Sequence, residues 1–370
     1  MNMKKNLLIA LFIPALTFGA LPEKSATPPL GPQPSNTIDI VVDAEFLYWH
    51  SNVSETYYAI EKEFVSTNND VTPQQGFLIS KRKEELDWSW DCGSRIGLGI
   101  TTNYDGWDLY STWTYLFTSG NNSKTVDPFF DESFNNINVN SLGSKTLSSP
   151  WFLDPDGEHY NYIHAKLTLL FNQIDLELGR AFWLGKFLAA RPFFGLRGFW
   201  TTMNYYVKGN RPVGSNITFL QENTQNRQKR WGVGILTGLN TAWYLSKNWS
   251  IFGNGSAALT YGKVAERKKM FFLEVDHTDQ IVAQIQNRLT DNFYDIQPII
   301  DLSAGLRFET TFNDSIRLQI DGGYEFHYLH DFNKLITGGQ SRPHNTNYQQ
   351  PSAEGDLTLS GFVARFRLDY

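Results

Sequence analysis

The chain has 370 residues, a formal net charge of −6 and a mean hydropathy of −0.35, a balance that argues against nucleic acid as a partner. Aromatics make up 15 %, with 11 Trp, 17 Tyr and 29 Gly, a mixture that fits an exported β-protein better than a cytosolic enzyme. The single cysteine, Cys92, excludes an internal disulfide framework.

Lys4 and Lys5 precede an apolar run from Leu7 to Phe18, and the small residues Gly19 and Ala20 follow. This reads as a secretory signal peptide over 1–20, since the run is too short for a spanning helix and contains Pro14. A Pro/Ser/Thr-rich periplasmic leader follows over 21–37, and 38–370 is expected to be one transmembrane domain.

From there the spacing predicts ten strands. The first runs over about 38–49 and the second over 86–100, where Trp88, Trp90, Cys92, Ile96 and Leu98 share a face against Asp91, Gly93, Arg95 and Gly97. Asp105-Gly106 then marks a hairpin into the third, 107–118. The fourth and fifth are 162–182 and 187–207. The alternation slips near Asn172-Gln173, where Leu167, Leu169 and Phe171 give way to Ile174, Leu176 and Leu178; a β-bulge would restore the apolar face to lipid. Strands over 230–245 and 249–264, then 298–311 and 315–330, form two further pairs. The last strand, 361–370, alternates strictly: Phe362, Phe366, Leu368 and Tyr370 point one way and Val363, Arg365, Arg367 and Asp369 the other. One face is oily and the other charged, as in a barrel with lipid outside and water inside.

Connections at 101–106, 184–186, 246–248 and 313–314 are short. Those at 50–85, 119–161, 208–229, 265–297 and 331–356 are long and polar. The two kinds alternate, which is the pattern of short periplasmic turns and long external loops in an antiparallel up-and-down outer-membrane β-barrel. Thr56–Phe64 with Gly76–Lys81 could form an extra hairpin, giving 12 strands if it crosses the membrane. Residues 278–293 have a helical spacing of Ile281, Ile285, Leu289 and Phe293, suited to an external cap or a lumen plug.

The blocks Ala44–Trp49, Arg95–Gly99 with Asp105–Asp108, Asp175–Arg180, Arg191–Arg197 and Trp231–Gly234 resemble those of the MOMP-like pore-forming outer-membrane family of Legionella and the environmental chlamydiae. The resemblance covers nearly all the strands and leaves the loops unaccounted for. It implies a porin-like diffusion channel. The cysteine-rich pattern of the chlamydial major porins is absent, so a disulfide-crosslinked envelope is not implied.

No cofactor or metal is expected. Asp154-Pro155-Asp156-Gly157-Glu158 lacks the ligand spacing of a calcium loop, and Asp-Pro and Asp-Gly are turn formers first. His327, His330, Asp331 and His277 could furnish an imidazole base at the rim, but no Gly-x-Ser-x-Gly elbow accompanies them, and the chain is read as a non-enzyme. The repeated Gly-x-Gly steps at Gly97, Gly99, Gly232 and Gly234 precede no helix and are not nucleotide loops.

Alternation, with the bulge allowed for, assigns to the lumen Arg95, Asp108, Lys166, Glu177, Arg180, Arg191, Arg197, Asp301, Arg307, Glu309, Arg317, Asp321, Glu325, Arg365 and Arg367, together with Asp91, Asp175 and Asp369. In a narrow barrel these charges should pair across the wall as Arg-carboxylate ladders. Phe366, Leu368 and Tyr370 form the expected signal for the barrel assembly machinery. The expected function is passive diffusion of small hydrophilic solutes or ions across the cell outer membrane. The alternative is a closed structural or adhesin-type barrel whose loops bind a surface partner. Outer-membrane lipid is the expected surrounding, and a homo-oligomer is left open.

Overall fold

The computed structural model describes residues 38–65, 77–102, 107–126, 144–152, 160–211, 217–276, 280–312, 316–338 and 352–370; the signal and leader segments, Asp154–Glu158 and His277 fall outside them. The first eight strands are β1 (Ile38–Val53), β2 (Ala59–Val65), β3 (Phe77–Glu84), β4 (Asp87–Trp88), β5 (Trp90–Thr102), β6 (Trp107–Thr125), β7 (Ser144–Ser148) and β8 (Tyr162–Arg180). Then follow β9 (Phe182–Trp183), β10 (Leu188–Arg211), β11 (Ile217–Tyr244), β12 (Trp249–Asp276), β13 (Ile281–Phe312), β14 (Ile316–Asn333) and β15 (Gly355–Asp369).

Ten of these, β1, β5, β6, β8 and β10 to β15, form a closed antiparallel barrel in which each strand pairs with its neighbours in that order. Closure is made by β15 on β1, from Val41 opposite Asp369 to Val53 opposite Leu357. Beyond it the backbones of Ile40 and Tyr370 exchange hydrogen bonds of 2.6 and 2.9 Å. A closed ladder is what the bilayer demands, since hydrocarbon offers no partner to an edge strand.

Three expectations are corrected. β2 and β3 do form a hairpin, but it joins β7 in a separate three-stranded sheet, so it adds no membrane strands. The segments 208–229 and 265–297 are largely strand rather than loop, because β10 to β13 run far beyond the bilayer. For the same reason Ile281 to Phe293 is strand and not helix, paired with β12 from Ile281 opposite Val275 to Phe293 opposite Val264. A spacing of four residues fits a helix turn, but it is also an even number and so places the same side chains on one face of a strand. Only the pairing partner separates the two.

The bulge is also absent. β8 keeps one register from Tyr162 to Gly179 against β10, and from Tyr162 to Arg180 against β6. Ile163, Ala165, Leu167, Leu169 and Phe171 point inward and are buried, followed in the same phase by Gln173 and Asp175. Ile174 and Leu176 point out to lipid and are exposed. What changes at Asn172 is the medium inside the barrel, from apolar to polar, while the strand continues unbroken.

The outer surface shows the lipid-facing half of the alternation. Ile40, Phe46, Ile96, Leu98, Phe194, Leu196, Ile235, Leu259, Leu302 and Phe366 are exposed between two rows of aromatic rings. Trp231 and Trp243 on β11, and Tyr261 and Trp249 on β12, bracket this band. Twelve residues at about 3.3 Å each, tilted by roughly 40°, span about 30 Å, the thickness of a bilayer core. At the short-turn end the turn Leu184–Phe187 includes Gly185 with φ of 118°, which only glycine adopts without strain.

Candidate functional site

Inside the membrane band the strands bring cations and carboxylates together. Arg95 donates through Nη1 to Glu45 (2.6 Å), through Nη2 to Glu325 (3.0 Å) and through Nε to Thr114 (2.9 Å). Arg197 grips Asp175 with Nε and Nη2 at 2.7 and 2.8 Å and reaches across the lumen to Asp301 with Nη1 at 2.5 Å. Arg191 bridges Asp108 (2.5 Å) and Glu177 (2.8 Å). Arg307 pairs with Asp321 at 2.9 Å, Arg365 with Glu45, and Arg317 with Glu309 and, at 3.6 Å, with Asp369. Arg367 lies against Asp369 at 2.6 Å. At an effective dielectric near 20, opposite charges at such separations attract by about 4 kcal/mol before desolvation is set against it. The gain recurs around the wall because each carboxylate serves one or two guanidinium groups.

These charges surround a cavity of about 480 Å³ that runs from Asp39, Trp183 and Asp369 at the short-turn end up to Arg95, Glu325 and His327. His327 lies in the chamber and not at the rim. Its Nδ1 is 2.8 Å from Asp301, its Nε2 is 3.3 Å from Glu325, and its ring lies 4.6 Å from that of Trp49. His330 instead points outside, 3.0 Å from Asp356, so the two histidines do not converge. Close packing extends to the glycines: a Cβ on Gly97 would lie 2.2 Å from Tyr110 Oη and 2.6 Å from Asp43 Oδ2.

Of the residues assigned to the lumen, Lys166 and Arg180 do not face it. Lys166 is exposed on the outer wall, and Arg180 lies over the Trp107 ring at 5.8 Å on the same outer face. The expected bulge reverses the phase of β8 only before Asn172, which is what places Lys166 inside; Arg180 shares the outward phase of Ile174, Leu176 and Leu178, and its assignment to the lumen departs from that alternation. Asp39, Asp43 and Glu45, by contrast, alternate inward on β1 and are buried. Their odd-numbered spacing in the first strand was the available signal. With two cations leaving and three carboxylates joining, the interior charge shifts from even to acidic. Phe366, Leu368 and Tyr370 lie on the outward face, with Tyr370 70 % exposed.

Above the chamber the barrel is filled. Tyr58, Trp151, Phe152, Tyr160 and Leu335, from the segments between strands, and Phe332, at the end of β14, pack against Leu167, Leu169, Met203 and Val207 of the wall in one apolar cluster. Polar wall side chains hold the backbone of this plug. Thr224 Oγ1 donates to the Trp151 carbonyl (3.0 Å), Gln228 Nε2 to that of Phe332 (2.9 Å), and Asn226 Nδ2 to that of Ile336 (3.1 Å). Tyr205 Oη donates to the Thr56 carbonyl (2.8 Å), and Lys268 Nζ to that of Gly338. Lys268 is fully buried; burial outweighs the pull of Glu222 and lowers its ammonium to about 7.

A family model described as the Legionella pneumophila major outer membrane protein precursor matches residues 32–369. The chain belongs to this family. The protein is accordingly an outer-membrane protein, and its structure is a closed β-barrel. A search of curated protein sequences returns no significant relative. Among solved structures, this member of the major outer membrane protein family is similar to the outer membrane protease OmpT of Escherichia coli. The identity is 12 % over 90 % of this chain and 96 % of that one, with a TM-score of 0.34. A FadL homologue of Pseudomonas aeruginosa is 7 % identical over 90 % of each chain, with a TM-score of 0.23. At these levels neither likeness bears on activity.

Proposed function

We propose that the barrel is a gated passage for small hydrophilic solutes or ions, with preference for cations, closed at its external end by the apolar plug. The observation that carries this reading is the cavity of about 480 Å³ into which seven arginines and their carboxylate partners converge from around the wall. A barrel built only as a structural shell gains nothing from such a lining, because well-packed apolar residues are usually as stable as buried ion pairs or more so. The excess of carboxylates favours cations. Phe366, Leu368 and Tyr370 are read as the segment recognised by the assembly machinery.

A second reading, a closed barrel whose loops bind a surface partner, is favoured by one observation: the plug is packed against the wall in one apolar cluster and hydrogen-bonded to it. Recording single channels in a planar bilayer separates the two. The passage requires discrete steps and a reversal potential in a salt gradient. Arg317→Glu with Arg365→Glu should move that potential further towards cations, and the same exchange at Lys208 and Lys263, which face outward on β10 and β12, should leave it in place. Absence of any step from folded protein, including protein with a weakened plug, would leave the closed barrel.

A further inference from the structure

Above the outer aromatic row the barrel wall continues, and its outward face is not electrically uniform. On β11 the outward positions include Arg227 and Lys229, on β12 Lys263, Arg267 and Lys269, and on β13 Arg288. The register sets Arg227 directly opposite Arg267 and Lys269 directly opposite Arg288. Side chains directly opposite on one face of an antiparallel pair are close neighbours, and like charges there are destabilising. The carboxylates of these strands beside the patch, Glu222, Glu266, Asp291 and Asp295, all fall in the inward phase. None of the six cations forms an ion pair among the described residues. The adjoining sector, formed by β14, β15 and β1 at the same height, presents Tyr328, His330, Asp356, Thr358, Ser360 and Asn52, with no lysine or arginine.

A chain of net charge −6 has thus gathered unpaired cations on one side, in two directly opposed pairs, immediately outside its membrane band. Lys263 lies opposite Tyr294 and Trp231, within the aromatic row itself. Arg227 and Lys269 lie further out; at about 3.3 Å per residue and a tilt near 40°, the patch extends roughly 5 to 20 Å beyond the rings. The inner part of that height is occupied by lipid head groups, and a head group with sugars continues into the outer part. Guanidinium groups match phosphate oxygens in bidentate geometry, and a multivalent anion between two opposed cations converts their repulsion into attraction.

We infer that the outward face of β11 to β13 is a binding site for a phosphate-bearing outer-leaflet glycolipid, held by Arg227, Arg267, Lys269 and Arg288 above the Trp231–Tyr261–Tyr294 row. The site fixes one side of the barrel to a particular lipid and is independent of whether the lumen conducts.

The test uses the full barrel, folded in neutral detergent and checked for folding by its heat-dependent gel migration. It is titrated with a diphosphorylated glucosamine lipid, with the dephosphorylated form of that lipid, and with inorganic phosphate. The phosphorylated lipid should remain bound through native mass spectrometry, and its affinity should fall with added salt. Arg227→Glu with Arg267→Glu should weaken it about tenfold or more, while the Lys pair at the same positions retains most of the binding. A second readout holds even if the Glu pair fails to fold. Arg227→Gln with Arg267→Gln relieves the repulsion, so it should unfold at a higher temperature than wild type in neutral detergent and at a lower one with the phosphorylated lipid. Equal binding of the dephosphorylated lipid, displacement by inorganic phosphate at similar concentration, undiminished binding by the Glu pair, or the same order of stability in both media would each overturn the site.

Discussion

Trp151 is the side chain on which the gate can be tested most directly. It is fully buried in the plug, meets the Tyr205 ring edge to face at 4.8 Å, and donates its Nε1 proton to the Tyr57 carbonyl at 2.8 Å. Truncation of a buried Trp to Ala costs about 3 to 5 kcal/mol. The bond to Tyr57 lies within the plug and is kept when the plug moves as a unit, whereas the packing against Tyr205 of the wall is lost from the closed state alone. At 1.4 kcal/mol per decade, Trp151→Ala then raises the equilibrium for plug opening by about two to three orders of magnitude. Single-channel recording in a planar bilayer reads this as open probability. Trp243→Ala, at a lipid-facing ring that is 61 % exposed, serves as the control and should leave gating alone. A folded Trp151→Ala barrel with wild-type conductance and open probability would refute the assignment of the plug as the gate.

Arg197→Ala should destabilise the barrel by about 3 to 5 kcal/mol in denaturant unfolding, because Asp175 and Asp301 are left buried without their shared cation. Adding Asp175→Asn and Asp301→Asn should recover much of that loss. Lys268 has its ammonium lowered to about 7 by burial, so between pH 7 and 10.5 the unfolded chain holds a proton that the folded one has released, and stability should rise with pH across that window. Lys268→Met should remove that rise and leave the barrel at least as heat-stable as wild type near pH 7; an unchanged slope would refute the reasoning. Glu61, whose carboxyl is opposed by burial but held down to about 2 by hydrogen bonds from Lys145 and Lys124, joins β2 to β7. Its contribution is present above pH 4.5 and lost as pH falls towards 2, so hydrogen exchange in 59–65 and 144–148 should quicken over that range in wild type and not in Glu61→Gln. Tyr370→Ala should lower the amount of folded barrel in the outer membrane, measured by fractionation, since it removes an outward ring beside the closing strand pair.

The ten barrel strands were legible in the sequence because a period of two is local. Ile300, Leu302 and Leu306 against Asp301, Arg307 and Glu309 report their two media without reference to any other strand. The ionic character of the lumen followed from the same alternation. What each arginine grips did not, since Arg197 reaches Asp301 from far along the chain and only the closed barrel makes them face each other. Alternation also reads as a slip wherever the interior itself changes character. The inward Leu167, Leu169 and Phe171 of β8 look like lipid-facing residues until Trp151, Phe152 and Leu335 are seen packed beside them. The sequence alone determined which residues lie on opposite faces of each strand and that the strands enclose charge. Only the tertiary structure decided which face is wet at each height, because that depends on segments distant in the chain that fold back into the barrel and expel its water.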